Sequence, residues 1–545
     1  MVIRGILFDF DGTLTAPGSL DFNAIRQEIG CPAGQPILEF IRGLPSGPQR
    51  DRAREILDAH ETAAAARSLP NEGAEELLRL LRARDIRTGI LSRNSRASIL
   101  RALENFTGTR PSDFSAIVSR DDPIEPKPSP EGIRAAARQM DVPAESLLVV
   151  GDFVFDIEAG YGAGAPTAYL TNGESGHVAH EQATFTIARL EELESIVRLH
   201  SALPAGKLPN DLLEEFLAEF RREPGSLLLA PAVGQDVAAV ELAGGEAMVL
   251  KSDPITFATD SIGCYSVAVS ANDIATSGAR ARWLLTTLLL PAGTTAAQVR
   301  DMMRELHAAA RAHGMEVCGG HTEVTDAVTR PVVVTQAVGI VPVQRLIGKG
   351  DIATGDLVLL TKGLAIEGTS ILAREFGARL RDRGASEALL ARCRAFLQVP
   401  GISILKEAYA AADAGGVTAM HDITEGGLAT ALDELSLAGG HRIRVYRSRI
   451  VVLEETRQVC DLMAIDPLGL IGSGSLLITC KEDRADDVIR SVTRSGVEVT
   501  CIGEVLGPGH GVEAVTEPGG APISWPRFLV DEIARVFREF GPSHK

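Results

Sequence analysis

The chain has 545 residues, too many for a single hydrophobic core, and about three or four domains are expected. Hydrophobic residues make up 45% and charged residues 23%, a globular profile, while aromatics at 4% argue against a surface that stacks nucleic-acid bases. The net charge of −18 argues against nucleic-acid or anionic-membrane partners but leaves nucleotides open, because metal ions and loop amides mask phosphate charge.

The first element is the most informative. Val2-Ile3-Arg4-Gly5-Ile6-Leu7-Phe8 reads as an apolar strand, and Asp9-Phe10-Asp11-Gly12-Thr13 follows it. Strand alternation turns Asp9 and Asp11 toward one side. Two carboxylates at the end of a buried strand repel each other unless a cation sits there or one keeps a proton. The pair suits Mg²⁺ and a carboxylate nucleophile attacking phosphorus. The same run also reads as a strand followed by a plain Asp-Gly turn.

A polar, helical stretch is expected from about 20 to 68, broken into two parts by Gly43-Leu44-Pro45-Ser46-Gly47-Pro48. Glu75-Glu76-Leu77-Leu78-Arg79-Leu80-Leu81 predicts an amphipathic helix. Arg87-Thr88-Gly89-Ile90-Leu91-Ser92 predicts a strand ending in a hydroxyl, and Asn94-Ser95 can cap the next helix. Ile117-Val118 is a short strand. Lys127 lies between Pro126 and Pro128, which stiffen its loop. Leu147-Leu148-Val149-Val150-Gly151-Asp152 is another strand ending in a carboxylate, with Asp156 four residues on.

Strands alternating with helices predict right-handed crossovers and a parallel sheet, with ligands at the carboxyl ends of its strands. Asp9, Asp11, Ser92, Lys127, Asp152 and Asp156 all fall there. One carboxylate can attack and a second can shuttle a proton. A hydroxyl and an ammonium can hold phosphoryl oxygens, and further carboxylates can hold Mg²⁺. Taken singly, Ser92 is a helix-start serine, Lys127 a solvated loop lysine and Asp156 a helix cap; their order and joint spacing lift them.

Residues 1–200 thus resemble the haloacid dehalogenase (HAD) superfamily. The resemblance implies Asp9 as nucleophile, Asp11 as general acid/base, Ser92 and Lys127 on the phosphate, and Asp9, Asp11, Asp152 and Asp156 around the metal. It also implies a small helical cap at about 16–70. Arg93 either touches substrate or is a solvated surface residue.

Beyond this the texture changes. Leu203-Pro204-Ala205-Gly206-Lys207-Leu208-Pro209 suits a linker, followed by a short helix at about 210–222. Strands such as Ala247–Leu250, Leu284–Leu290 and Val332–Thr335 alternate with Ala-rich helices. A second block starts near Gly355, so two α+β subdomains divided near 345–352 are expected. Small polar clusters punctuate them: Gly234-Gln235-Asp236 at a strand start, Lys251-Ser252-Asp253 after a strand, and Asn272-Asp273 in a helix. Cys318-Gly319-Gly320-His321-Thr322-Glu323 and His421-Asp422-Ile423-Thr424-Glu425-Gly426-Gly427 read as glycine turns. Separated acids with glycine turns suit Mg²⁺-bridged polyphosphate, since bare backbone amides can approach phosphate. Each cluster alone is weak, and Asn272, Asp273 and His321 also read as ordinary structural groups. No G-x-x-x-x-G-K-[ST] loop is present.

In order, these clusters resemble the aminoimidazole ribonucleotide (AIR) synthase superfamily over about 225–510, and within it the hydrogenase-maturation branch. The resemblance implies ATP and Mg²⁺ between the subdomains and a homodimer through the first of them. Asp236 and Asp253 would be metal ligands, and Asn272, Asp273, Gly319, Gly320, Thr322 and Asp422 would contact ATP or substrate. Gln235 stands where relatives have a carboxylate, which puts the metal count in doubt. Hydrogenase-maturation proteins carry a reactive C-terminal cysteine; the last cysteine here is Cys501 and the chain ends Gly541-Pro542-Ser543-His544-Lys545, so carriage on a terminal thiol is not expected.

Cys31, Cys264, Cys318, Cys393, Cys460, Cys480 and Cys501 are scattered, odd in number and never in a C-x-x-C pair, against a disulfide framework or zinc site. The chain enters a strand at once, so no signal peptide is expected, and no apolar run reaches the ~20 residues of a membrane span. A cytoplasmic protein follows.

The expected fold class is α/β. A HAD-like Rossmannoid parallel sheet with a helical cap occupies 1–200, a linker with a short helix 201–224, and a two-subdomain α+β AIR synthase-like module 225–350 and 351–545. The expected function is a Mg²⁺-dependent phosphatase for a small phosphorylated metabolite, joined to an ATP-binding module that phosphorylates or activates a small substrate. Two alternatives stand beside it. The second module is a nucleotide-binding dimerisation module without chemistry, or the chain is maturation-like with a different acceptor.

Overall fold

Four apolar-compatible residues with no break give β1 (Gly5–Phe8), and all four are buried. In the computed structural model, which describes residues 1–173, 180–203, 207–219, 226–258 and 260–540, β1 is central in a six-stranded sheet. The chain divides into two units, Met1–Leu203 and Pro204–Lys545.

The first unit contains α1 (Phe22–Ile29), α2 (Ile37–Gly43), α3 (Pro48–Ala65), α4 (Ala74–Ala83), β2 (Arg87–Leu91), α5 (Arg96–Leu103), β3 (Ala116–Val118), α6 (Glu131–Met140), β4 (Leu147–Gly151), α7 (Val154–Ala163), β5 (Thr167–Leu170), β6 (Phe185–Ile187) and α8 (Glu192–His200). The strand order β3-β2-β1-β4-β5-β6 is parallel throughout. A parallel sheet is covered on both faces, so its strands read as unbroken apolar runs rather than alternating ones. One core cluster on it holds Ile6, Phe8, Ile90, Leu148 and Val150, and another holds Leu7, Leu91, Val118 and Val149.

The stretch between β1 and α4 forms three helices rather than two. Asp21 starts α1 by accepting the amide hydrogens of Asn23 and Ala24, each at 3.0 Å, and Gly30 ends it in the left-handed region at φ 72°. Pro32 and Pro36 then keep Cys31–Pro36 out of a helix. The three helices share their own small core of Ile25, Cys31, Ile37, Ile41, Ala53 and Leu57.

The second unit opens with α9 (Asn210–Glu219); the expected helix end at 220–222 lies outside the described residues. Its first sheet has β7 (Leu227–Leu229), β8 (Ala238–Leu242), β9 (Glu246–Ile255), β10 (Arg280–Pro291), β11 (Glu316–Thr325) and β12 (Val332–Pro342), in the order β11-β10-β12-β9-β8-β7. The helices α10 (Ile262–Thr276) and α11 (Ala296–Ala312) belong to the same half. Its second sheet has β13 (Leu357–Thr361), β14 (Val417–Asp422), β15 (His441–Tyr446), β16 (Leu476–Cys480), β17 (Val499–Pro508), β18 (Val512–Val515) and β19 (Pro522–Ile523), ordered β14-β16-β13-β17-β15-β18-β19. A single buried core runs from Ala239 and Leu284 of the first sheet through α10 to Val358 and Leu477 of the second. Every residue of α10 from Tyr265 to Thr276 is buried.

Two local expectations are corrected. Lys251-Ser252-Asp253 does not follow a strand but lies inside β9, where it pairs with Ala337, Gln336 and Thr335 of β12. Cys318–Glu323 is not a turn but part of β11, a ten-residue edge strand paired in parallel with β10. Pairing overrides the glycines here, and a Cβ at Gly320 would fall 2.0 Å from the Thr286 carbonyl oxygen.

Among the described residues one stretch, Glu387–Ala414, is long and apolar enough to cross a membrane by length and composition. It is not one helix. Glu387–Ala395 and Leu405–Ala414 are separate, with Val399 at φ −140°, ψ 112° ahead of Pro400 between them.

Candidate active sites

In the first unit, β1 and β4 run side by side in register, Phe8 opposite Val150, so the residues just past them emerge at one edge. Asp9 continues the ladder, its N–H donating to the Val150 carbonyl at 2.8 Å. Asp9, Asp152 and Asp156 place one carboxylate oxygen each within 4.8 Å of one another. Lys127 Nζ donates to both Asp9 and Asp156 and is itself buried. Gly12 turns the chain at φ 76°, and a Cβ there would fall 2.2 Å from Asp152 Oδ2, so no other residue fits. Thr13 Oγ1 donates to Asp152 Oδ1 at 3.2 Å.

Burial is the largest cause of every raised carboxyl here, and neighbouring charge adds to it. Asp152 is pushed up to about 8 by burial, then by Asp9 and Asp156. Asp156 is pushed up to about 6 by burial, with Lys127 pulling the other way. Asp11 is pushed up to about 7 by burial, then by Asp9 and Glu61. Burial works against the Lys127 ammonium, but Asp156 and Asp9 outweigh it and hold its proton above the usual lysine range.

Three carboxylates within 4.8 Å, with no nitrogen or sulfur donor, fit a hard cation such as Mg²⁺. Octahedral oxygens about 2.1 Å from Mg²⁺ stand about 3 to 4 Å apart. Asp11, expected among the ligands, is not in this group; its Oδ2 accepts from Asn94 Nδ2 at 2.6 Å. Ser92 is buried at the end of β2 and its Oγ accepts the Asn94 N–H at 3.1 Å. Arg93 is not a free surface residue: its Nη2 donates to both Glu39 oxygens at 2.7 and 2.6 Å, and its guanidinium lies 5.2 Å from the Phe155 ring centroid.

Asp9, Asp11, Ser92, Arg93, Lys127, Asp152 and Asp156 line a cavity of about 490 Å³. Its other walls come from the cap, through Leu20, Phe22, Arg26, Ile37, Leu38 and Leu57. The arrangement joins a carboxylate at a strand end, a carboxyl raised to about 7 and a fixed ammonium under a partly apolar roof.

In the second unit, Asp236, His421 and Asp422 form another close group within 4.8 Å. His421 Nδ1 lies 2.7 Å from Asp236 Oδ1, and its Nε2 lies 3.1 Å from Glu434 Oε2. Lys349 Nζ lies 2.7 Å from Asp236 Oδ2. Burial opposes charge on Asp236, but His421 and Lys349 outweigh it and hold Asp236 far below the usual carboxylate range. Burial disfavours charged His421 as well, yet Asp236, 2.7 Å away, outweighs it and raises the imidazole above its usual range. Glu434 falls to about 2 against its burial, through Lys207 and His421.

Asp422 and Asp273 behave oppositely. Burial, then Asp236, pushes Asp422 up to about 7; burial, then Asp422, pushes Asp273 well up. Asp422 Oδ2 is buried with no hydrogen-bond partner. Lys251 stands 3.1 Å from Asp273 and 3.9 Å from Asp253. An orphaned buried oxygen between acids fits a hard cation at Asp422 and Asp273 rather than at Asp236, whose two oxygens are already engaged.

Asn272 is corrected: its side chain is fully buried, with Nδ2 donating to the Ile402 carbonyl at 2.8 Å and Oδ1 accepting from Ile404 N at 2.9 Å, so it staples backbone. Gly319, Gly320 and Thr322 lie exposed on edge strand β11, opposite Leu285, Thr286 and Leu288, and not in the acidic group. Sequence reading named Asn94, Lys207, Lys251 and His421 without giving them a role in the site, and did not single out Lys349 or Glu434. Lys251, His421 and Glu434 leave a weak signal, a polar group inside a strand or helix, whereas Asn94, Lys207 and Lys349 lie in loops and leave none.

The comparisons with known proteins follow this division. A haloacid dehalogenase-like hydrolase family matches residues 3–164, the AIR synthase related protein N-terminal domain matches 234–341, and its C-terminal domain matches 353–515. The carbamoyl dehydratase HypE of Cupriavidus necator is 30% identical over 305 residues, 53% of this chain and 82% of that protein. The uncharacterized hydrolase YOR131C of Saccharomyces cerevisiae is 30% identical over 199 residues, 36% of this chain and 90% of that protein. The chain belongs to both families, as a HAD-like hydrolase joined to an AIR synthase related protein. A solved HypE–HypF complex matches 58% of this chain and 99% of its own, at 20% identity and a TM-score of 0.47.

If Asp9, Asp152 and Asp156 hold a cation, Mg²⁺ should raise the melting temperature of metal-stripped protein, and Asp152→Asn should remove most of that rise. An Asp152→Asn variant that responds to Mg²⁺ as fully as the wild type would show that the cation binds elsewhere.

Proposed function

We propose that the first unit is a Mg²⁺-dependent phosphatase that cleaves a small phosphomonoester through an aspartyl-phosphate on Asp9. One observation carries the reading: Asp9, Asp11 with its carboxyl raised to about 7 by burial, and buried Lys127 converge on one cavity. Asp9 attacks phosphorus while the Asp11 carboxyl gives its proton to the leaving oxygen. The Asp11 carboxylate then takes a proton from water, which hydrolyses the acyl phosphate. Ser92 and Lys127 hold the phosphoryl oxygens through both steps. Mg²⁺, when held by Asp9, Asp152 and Asp156, supplies neutralisation of phosphoryl charge.

For the second unit we infer binding of ATP and Mg²⁺ and activation of a small substrate oxygen by phosphorylation. Asp422 and Asp273 offer the cation site, and Lys207, Lys251 and Lys349 offer charge for phosphate oxygens. Full engagement of Asp236 by Lys349 and His421 favours a second reading, nucleotide binding without turnover. Exposed, ten-residue edge strand β11 supports a homodimer through the first sheet of this unit, since an unpaired ladder is a template for a second copy. The cytoplasm is the compartment proposed.

Asp9→Asn should lower turnover of phosphomonoesters at least ~1,000-fold, as for other lost nucleophiles, with ATP affinity unchanged in calorimetry. Full turnover in that variant would exclude Asp9 as nucleophile. Asp422→Asn should weaken Mg²⁺-ATP binding at least ~10-fold, about 1.4 kcal/mol. ADP release by the wild type with an acceptor decides for activation, and tight binding with no ADP across a panel of acceptors decides for the binding module. Light scattering should give the mass of two chains, and Thr322→Pro in β11 should shift it to one; a wild-type monomer at micromolar concentration would refute the dimer.

A further inference from the structure

One cation that lines the cavity under the cap has no partner among the described residues. The cavity lining includes Asp9, Asp11, Asp152, Asp156, Lys127, Glu61, Arg93 and Arg26. Lys127 is bound to Asp9 and Asp156. Arg93 is bound to Glu39 through both carboxylate oxygens. Glu61, buried at 3% exposure, is bound to Arg120 and to the Ser95 amide at 3.2 Å.

Arg26, on cap helix α1, is different. Its guanidinium makes no hydrogen bond or ion pair among the described residues, and its Nε is buried from solvent with no partner. A buried N–H left unmade costs about 1–3 kcal/mol, and more on a charged group. A cap with a core of only six buried side chains tolerates such a cost best where a ligand removes it. Among the cap residues that line the cavity, Leu20, Phe22, Ile37, Leu38 and Leu57 carry no charge, and the one carboxylate, Glu61, is held by Arg120.

We propose that Arg26 reads a second anionic group on the substrate, so that the first unit prefers a short phosphomonoester carrying a carboxylate at its far end. The reading rests on the phosphatase assignment and narrows its substrate class. The phosphoryl group sits at the strand ends with Asp9, Ser92 and Lys127. The body of the molecule lies against the apolar cap side chains. The carboxylate takes the terminal N–H groups of the Arg26 guanidinium, a charge-assisted contact. A volume of about 490 Å³ holds a small metabolite and not a polymer. A neutral polyol phosphate leaves the guanidinium unpaired, and a cationic tail is repelled by it.

The test uses the full chain with Mg²⁺ and three probes of similar size: 2-phosphoglycolate, glycerol 3-phosphate and phosphoethanolamine, with p-nitrophenyl phosphate as a general ester. Wild-type kcat/KM should favour 2-phosphoglycolate over glycerol 3-phosphate at least tenfold. Arg26→Gln should collapse that ratio through KM, and Arg26→Glu should invert it toward phosphoethanolamine. Calorimetry on the Asp9→Asn background should show the same order of affinities without turnover. Circular dichroism checks that each variant keeps its helices, and Arg26→Lys, which keeps the charge, should retain part of the preference. Turnover with no preference for the carboxylate, or a preference that survives Arg26→Glu, would overturn the Arg26 assignment alone. No turnover of any of the four esters by the wild type would overturn the phosphatase reading beneath it.

Discussion

Like charges forced together in a dry place organise both units. In the first, three carboxylates meet at the ends of adjacent parallel strands, and the burial that makes the sheet stable makes their mutual repulsion expensive. Lys127 is the protein's own answer, an ammonium held between Asp9 and Asp156. The remaining charge is shed by protonation, which is why Asp152 and Asp11 rise toward neutrality. A ligand that brings a cation and phosphoryl oxygens fits where the fold leaves the electrostatics unfinished. Gly12, with no Cβ to strike Asp152, is a geometric consequence of the same crowding.

The second unit resolves the problem differently. Asp236 and Glu434 stay charged because His421, Lys349 and Lys207 surround them, whereas Asp422 and Asp273 move toward the protonated form with oxygens left over. Neighbouring acids thus split into a fixed ionic network and a part open to a cation.

Much of this was legible. The strand-end carboxylates announce themselves because a parallel sheet needs unbroken apolar runs, and Asp9 and Asp152 directly follow such runs. The second unit was less legible because its motifs are glycines and isolated acids, which turns and strands use equally. Gly319 and Gly320 read as a turn, yet pairing with β10 keeps that segment extended. Asn272 read as a ligand, yet a polar side chain in a fully buried helix had backbone at Ile402 and Ile404 to satisfy first.

The sequence by itself determined the alternation of strand and helix in the first unit, the carboxylates at its strand ends and the families to which the two parts belong. Those features are local: hydrophobic period, turn chemistry and spacing need no knowledge of distant contacts. Only the tertiary structure decided which charges have partners. Pairing Arg93 with Glu39 spans 54 residues, Lys127 with Asp9 spans 118, and His421 with Asp236 spans 185, so no local rule reports them. The separation of Asp11 from the other three carboxylates, and the solitary Arg26 above them, follow from the same cause. Burial and partnership are properties of the folded chain, and they turn a list of acids and bases into a site.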